Sequence, residues 1–247
     1  MASPSGQLGL PFVHRPAYAD RDFLAAPSND AARRWLAADW PDGRLALWGP
    51  EGVGKTHLLT IEARHLGVDV RAGATLEPPA APPASACVID DAEAALEPAL
   101  LHWLNTAREA RQRLLLASRQ APARWPVRLP DLASRLRTIQ SVKILPPDDD
   151  LLRALLARML SERRLLVSET VQRWMFLRLP RSAAAMREAA ARLDRVQLAA
   201  AGPVTRVLAA TALRGLIDGS EDREAPDQHD EFKNSSADVS SEVRAVR

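Results

Sequence analysis

Short apolar runs alternate with amphipathic stretches along the first part of the chain, and that alternation stops at Pro146-Pro147. The runs Leu45 to Trp48, Ala86 to Ile89 and Leu114 to Ala117 have strand length, and Thr138 to Leu145 reads as a fourth strand. Between them, helical spacing marks residues 28 to 40, with Trp35, Leu36 and Trp40 and with Ser28 or Asn29 as its cap. It also marks His57 to Arg64, and a helix within 94 to 113 that carries Leu96, Leu100, Leu101 and Leu104 on one face. Short apolar strands separated by helices predict an α/β domain, a parallel sheet covered on both sides. The Ala/Pro-rich residues 73 to 84 read as a surface connection.

Beyond the proline pair only helical periodicity remains. Leu151, Leu152, Leu155, Leu156, Met159 and Leu160 begin it, and helices over 168–179, 181–200 and 204–217 follow. The organisation expected is a flexible N-terminal segment (1–15), an α/β domain (16–147), a small all-α domain (148–218) and a disordered acidic tail (219–247).

Composition narrows this modestly. Hydrophobic residues are 47% of the 247, enough for a packed core, while aromatics at 4% leave that core mainly to Leu, Ala and Val. The single cysteine, Cys87, lies in an apolar run and reads as a buried hydrophobe; it excludes an intramolecular disulfide. No secretory signal or membrane-length apolar stretch is visible, so a cytoplasmic protein is expected. From Gly219 onward eight acids face four bases, a net −4, and the whole-chain net of +2 therefore leaves +6 on residues 1–218.

The candidate chemistry starts where the first strand ends. Gly49-Pro50-Glu51-Gly52-Val53-Gly54-Lys55-Thr56 matches G-x-x-x-x-G-K-[ST] in full. Such a loop points successive backbone N–H groups at phosphate oxygens, and the helix that follows adds its positive end. Lys55 is the expected β/γ-phosphate contact, with Thr56 as a magnesium ligand and His57 just behind it. Lysine occurs only at positions 55, 143 and 233, which argues against a chance match. Cys87-Val88-Ile89-Asp90-Asp91 is an apolar strand ending in two acids. Asp90 is expected to hold magnesium and Asp91 to orient an attacking water. The ligand expected is ADP or ATP with Mg.

A P-loop, an Asp-Asp strand, Leu129-Pro130-Asp131-Leu132-Ala133-Ser134-Arg135-Leu136 and Leu145-Pro146-Pro147-Asp148-Asp149 occur in that order before the helical region. This arrangement resembles the AAA+ P-loop ATPases related to the bacterial replication initiator DnaA, over roughly residues 7 to 217. Within them it is most similar to the Hda-type regulators. No helix-turn-helix domain follows the helical region, the stretch from Thr56 to Asp90 is short, and the chain starts with Gln7-Leu8-Gly9-Leu10-Pro11-Phe12. That hexapeptide is similar to the motif by which such regulators dock on the sliding clamp, the polymerase III beta subunit. Gln7 would hydrogen-bond while Leu8, Leu10, Pro11 and Phe12 anchor in an apolar pocket.

The resemblance further implies that the all-α domain is a lid over the nucleotide. Arg135 takes the arginine-finger position, acting on ATP held by DnaA. Ser118 falls in the sensor 1 region, and Asn29 in a segment lining the adenine. The usual sensor 2 arginine falls on Ala184; Arg181 and Arg187 flank it at three residues, and Arg181, at the helix start, is the expected phosphate contact. That departure implies weak ATPase activity of its own and an ADP-bound regulator that promotes hydrolysis in DnaA. Sequence-specific DNA binding and membrane association are not expected; a homo-oligomer is possible. The alternatives are an independent AAA+ ATPase such as a helicase loader, or a clamp adaptor that uses nucleotide only to stabilise its fold.

Overall fold

The computed structural model describes residues 23–79, 85–200 and 202–217, without side-chain placement for 198–200. The clamp-motif residues Gln7, Leu8, Leu10, Pro11 and Phe12 and the acidic tail therefore lie outside the described residues.

Five strands form one sheet: β1 (Arg44–Trp48), β2 (Val70–Ala72), β3 (Ala86–Asp90), β4 (Arg113–Ser118) and β5 (Gln140–Lys143). Their order is β2-β3-β4-β1-β5 and every pairing is parallel. Parallel strands need crossovers, supplied by α2 (Lys55–Leu66), α3 (Glu97–Glu109) and α4 (Pro130–Thr138), with α1 (Pro27–Leu36) preceding β1. Side chains alternate across the sheet. Ala46, Cys87, Ile89, Leu114 and Leu116 pack on one face against Leu100, Trp103 and Leu104 of α3 and Leu132 and Leu136 of α4. Leu45, Leu47, Val88, Leu115 and Ala117 pack on the other, against Ala32 of α1 and Leu58, Leu59 and Ala63 of α2. Covering both faces accounts for strands that read as unbroken apolar runs.

After β5 the chain forms α5 (Asp149–Glu162), α6 (Glu169–Phe176), α7 (Ala183–Ala200) and α8 (Arg206–Ile217). Asp148 and Ser168 cap α5 and α6 by accepting from the N–H groups of Leu151 and Val171. These helices bury their own core, with Leu152, Leu156 and Leu160 against Met175, Met186, Leu193 and Leu213.

Several elements differ from the sequence reading. β2 was not expected, because Val70–Ala72 is only three residues long and two of them are exposed. Helix α1 ends at Leu36; Trp40 lies beyond it, buried, with its indole N–H donating to the Trp35 carbonyl at 3.0 Å. Ser28 and Asn29 lie inside α1 rather than at its cap, which is Ala26; Asn29 instead accepts the Ala26 N–H at 3.1 Å. Leu96 precedes α3 and is 72% exposed, so it is not on the helix's buried face. Helix α4 runs to Thr138, which confines the fourth expected strand to Gln140–Lys143. Cys87 is buried, and burial raises its thiol pKa to about 12.

One carboxylate fixes the start of α4. Glu97 accepts N–H groups from Arg128 (2.9 and 3.0 Å) and Leu129 (2.8 Å). Those bonds to the ionised form hold its pKa below the ordinary carboxyl value.

Two outcomes follow. Leu115→Ala, at a fully buried site in the sheet, should cost about 2–5 kcal/mol in urea denaturation. For Glu97, the depressed folded pKa means its contribution is present above the unfolded value and lost as pH falls through the folded one. The stability gap between wild type and Glu97→Gln should thus be open at pH 7 and narrow progressively once pH falls below the ordinary glutamate value of about 4.3. An unchanged gap in acid would remove Glu97 from this role.

Candidate functional site: the carboxyl ends of β1, β3 and β4

All strands being parallel, their carboxyl ends share one edge of the sheet, the edge where open α/β folds bind ligands. Inserting β4 between β1 and β3 brings three groups together there: the loop after Trp48, the Asp90-Asp91 pair, and Ser118, which stands opposite Trp48 in register.

Gly49 leaves β1 with its N–H donating to the Ser118 carbonyl at 3.2 Å. A Cβ at Gly49 would collide with the backbone carbonyl of Ile144, so only glycine permits this exit. The loop closes at Gly54, whose φ of 98° is left-handed and whose position caps α2. A Cβ at Gly54 would also stand 3.3 Å from the Phe23 ring, which meets His57 edge-on with centroids 5.2 Å apart. Val53 is half-buried between the loop and Gly49.

Lys55 opens α2 and is 7% exposed. Its ammonium donates to the carbonyls of Gly49 and Pro50, both at 2.8 Å, and so sits within the curve of the loop. Burial lowers its pKa, opposed by the negative charges of Asp90, Asp91 and Glu93. The Thr56 hydroxyl donates to Asp90 Oδ2 at 2.7 Å, and Asp90 Oδ1 accepts the Asp91 N–H at 3.0 Å. Asp91 adopts a left-handed φ of 46°, which turns the chain sharply beyond β3.

The other expected contacts divide. Ser118 is fully buried, and its hydroxyl donates to the Gln120 carbonyl at 2.7 Å. Asn29, 3% exposed, donates to the Leu24 carbonyl at 2.9 Å and pins the segment before α1, while Ser28 accepts the N–H of Leu145 beside the P-loop edge. Arg181 lies before α7 rather than within it. Its guanidinium donates to the Phe176 carbonyl at 3.0 Å, stacks 4.2 Å from that ring and lies 3.7 Å from Asp149. All these partners belong to α5 and α6, and Arg187 is exposed on α7. Arg135 lies on α4, at the opposite edge of the sheet from the loop.

Phe23 and Glu93 are site residues the sequence reading missed. Glu93 accepts the Arg119 N–H at 2.6 Å and so ties the chain beyond Asp91 to the chain beyond Ser118. Nothing in a lone acid two residues after the pair marks that bond. The Arg119 guanidinium also approaches Glu51 of the loop, at 3.6 Å.

The donor set suits magnesium nucleotide. Thr56 and Asp90 present a hydroxyl and a carboxylate within 2.7 Å of one another, both hard oxygens. No cluster of three metal-ligating side chains occurs among the described residues. No helix among the described residues could cross a membrane.

No curated protein matches the chain. Among solved structures it is similar to domain III of the replication initiation protein DnaA from Thermotoga maritima. That match has 18% identity over 82% of this chain and 98% of that one, with a TM-score of 0.69. A variant of RuvB from Thermotoga maritima gives 15% identity, 76% and 68% coverage and a TM-score of 0.58. The replication initiator DnaA bound to AMPPCP and single-stranded DNA gives 17%, 72% and 64%, and 0.55. Identities this low establish shared architecture only. The family model of the AAA domain, however, matches residues 13–208 of the 247, and the chain therefore belongs to the AAA domain family.

Proposed function

We propose that the chain is a nucleotide-binding regulator of replication initiation, of the Hda type, that promotes hydrolysis of ATP held by DnaA. The observation that carries the reading is the separation of its two charged devices. Lys55, Thr56 and Asp90 gather at the carboxyl edge of the sheet, whereas Arg135 stands at the amino edge. A guanidinium so placed cannot serve its own P-loop, so any γ-phosphate it reaches belongs to a neighbouring chain.

In this reading the P-loop amides and Lys55 hold the phosphates of ADP or ATP, Thr56 and Asp90 hold magnesium, and Asn29 keeps the adenine-side segment in place. Magnesium supplies charge neutralisation on the phosphate oxygens. Asp91 orients a water, Ser118 lies at the sensor position, and Arg181 is the lid arginine. Its present pairing with Asp149 and Phe176 would have to break for it to meet a phosphate. Gln7 to Phe12 would tether the protein to the sliding clamp in the cytoplasm, raising its effective concentration near replicating DNA. The intact Thr56–Asp90 pair favours a second reading, an ATPase that turns over by itself.

The first test is thermal. With ADP and magnesium at about a hundredfold over Kd, binding should add about 2.7 kcal/mol and raise Tm by about 5–10 °C. Lys55→Ala should fold and lose that rise; an equal rise in the variant would remove the P-loop from the binding site.

The second measures hydrolysis of DnaA-bound ATP with clamp loaded on DNA. Arg135→Ala should lower the stimulated rate by about 10³-fold or more, and Gln7→Ala by weakening the tether. Full stimulation by both variants would sink the regulatory reading. Turnover without DnaA, at a rate indifferent to clamp, would favour the second.

A further inference from the structure

The amino edge of the sheet, where Arg135 stands, also holds a cleft whose other lining residues have no role above. It encloses about 850 Å³, a small-molecule size, and is lined by four arginines, Arg44, Arg108, Arg111 and Arg135, against two acids, Asp42 and Asp131. The topology explains the gathering. Arg44 opens β1, Arg108 and Arg111 lie where α3 ends before β4, and Arg135 lies in the last turn of α4 before β5. Parallel strands place all three junctions on one edge, about 13 Å along β1 from the P-loop.

The charge of its lining marks the cleft as an anion site. The Arg44 side chain is only 8% exposed, and its ion-pair partner among the described residues is Asp42, at 3.0 Å through one terminal nitrogen. Among the described residues the Nε atoms of Arg44 and Arg135 have no hydrogen-bond partner, but both are sealed from the cleft, so it is the rest of the lining that a ligand would meet. The lining has a charge excess of +2, and Ser134 adds a hydroxyl from the same helix, while the Thr138 hydroxyl already donates to the Arg135 carbonyl at 2.8 Å.

We infer that this cleft binds a compact anion carrying more than one phosphate group, of the pyrophosphate class. Guanidinium forks pair bidentately with phosphate oxygens, and four arginines lining one cleft exceed what a single carboxylate can use. The volume of about 850 Å³ is that of a small-molecule site and favours a compact anion over an extended strand. The site stands independently of the trans-acting role of Arg135. If that role holds, an anion in the cleft would occupy the guanidinium that a neighbour's phosphate needs.

The test is calorimetric titration of pyrophosphate into the full chain saturated with magnesium ADP, repeated in Lys55→Ala so that the P-loop cannot supply the signal. A single-site isotherm is expected in both. The double variant Arg108→Gln/Arg111→Asn changes exposed residues only, and Asn suits the left-handed φ of 53° at position 111. It should weaken binding about tenfold or more with an unchanged circular dichroism spectrum. Arg44→Met should weaken it at least as much. Absence of saturable binding in the wild type, or affinity unmoved by the double variant, would overturn the site. Displacement of pyrophosphate by a single-stranded oligonucleotide, with an affinity that depends on Arg108, would overturn the compact-anion assignment in favour of a nucleic-acid backbone. None of these readouts requires DnaA, so failure here and failure of the regulatory reading are separate results.

Discussion

Everything chemical in this molecule hangs on β1. It is paired on both edges, with β4 and β5, and covered on both faces, so its backbone groups are satisfied and its side chains cannot move. A strand held in this way fixes what happens at its ends. At the carboxyl end the chain must turn away beneath the Ile144 carbonyl, where no Cβ fits, and the turn that results is the phosphate loop. At the amino end the first residue is an arginine that the packed sheet pulls out of water.

The two ends handle buried charge differently. Lys55 loses hydration, which lowers its pKa, but it recovers two carbonyl bonds and the field of three nearby acids. The lysine stays within the loop because the backbone oxygens it faces are the ones the loop's own curvature turns inward. Among the described residues Arg44 has one carboxylate partner, and its Nε has no partner. A compact ammonium can be satisfied by a few carbonyls, whereas a planar fork with five donors needs acceptors spread across a plane. Fixed backbone meets the first requirement more easily than the second.

The legible part of the sequence was the part where local chemistry and tertiary packing agree. The runs at 45–48, 86–89 and 114–117 became β1, β3 and β4 because a strand buried on both faces has no polar positions to disguise it. Gly49 to Thr56 was legible because its constraints are local. Asn29 was placed in a helix but at the wrong turn: its cap-like chemistry serves a reversed bond, from N3 back to the Ala26 N–H, and spacing alone does not separate the two. β2 escaped because three residues, two of them exposed, need a partner strand to exist at all. The bonds from Glu93 to Arg119 and from Glu97 to Arg128 and Leu129 join residues 26 to 32 positions apart, and no window along the chain contains both ends.

The same topology decides how far one chain can act alone. In a parallel sheet every crossover returns the chain to the amino edge, so residues in the last turn before a strand are kept from those just after one by the length of the strand. Arg135 is of the first kind and Lys55 of the second. No side-chain rotation spans that gap, because a guanidinium reaches only a fraction of it and the sheet between is fully packed. On the functions proposed, the loop around Lys55 and the arginines of the amino edge therefore cannot share one phosphate. A neighbouring chain would bring its own to the amino edge, or a free anion would settle there.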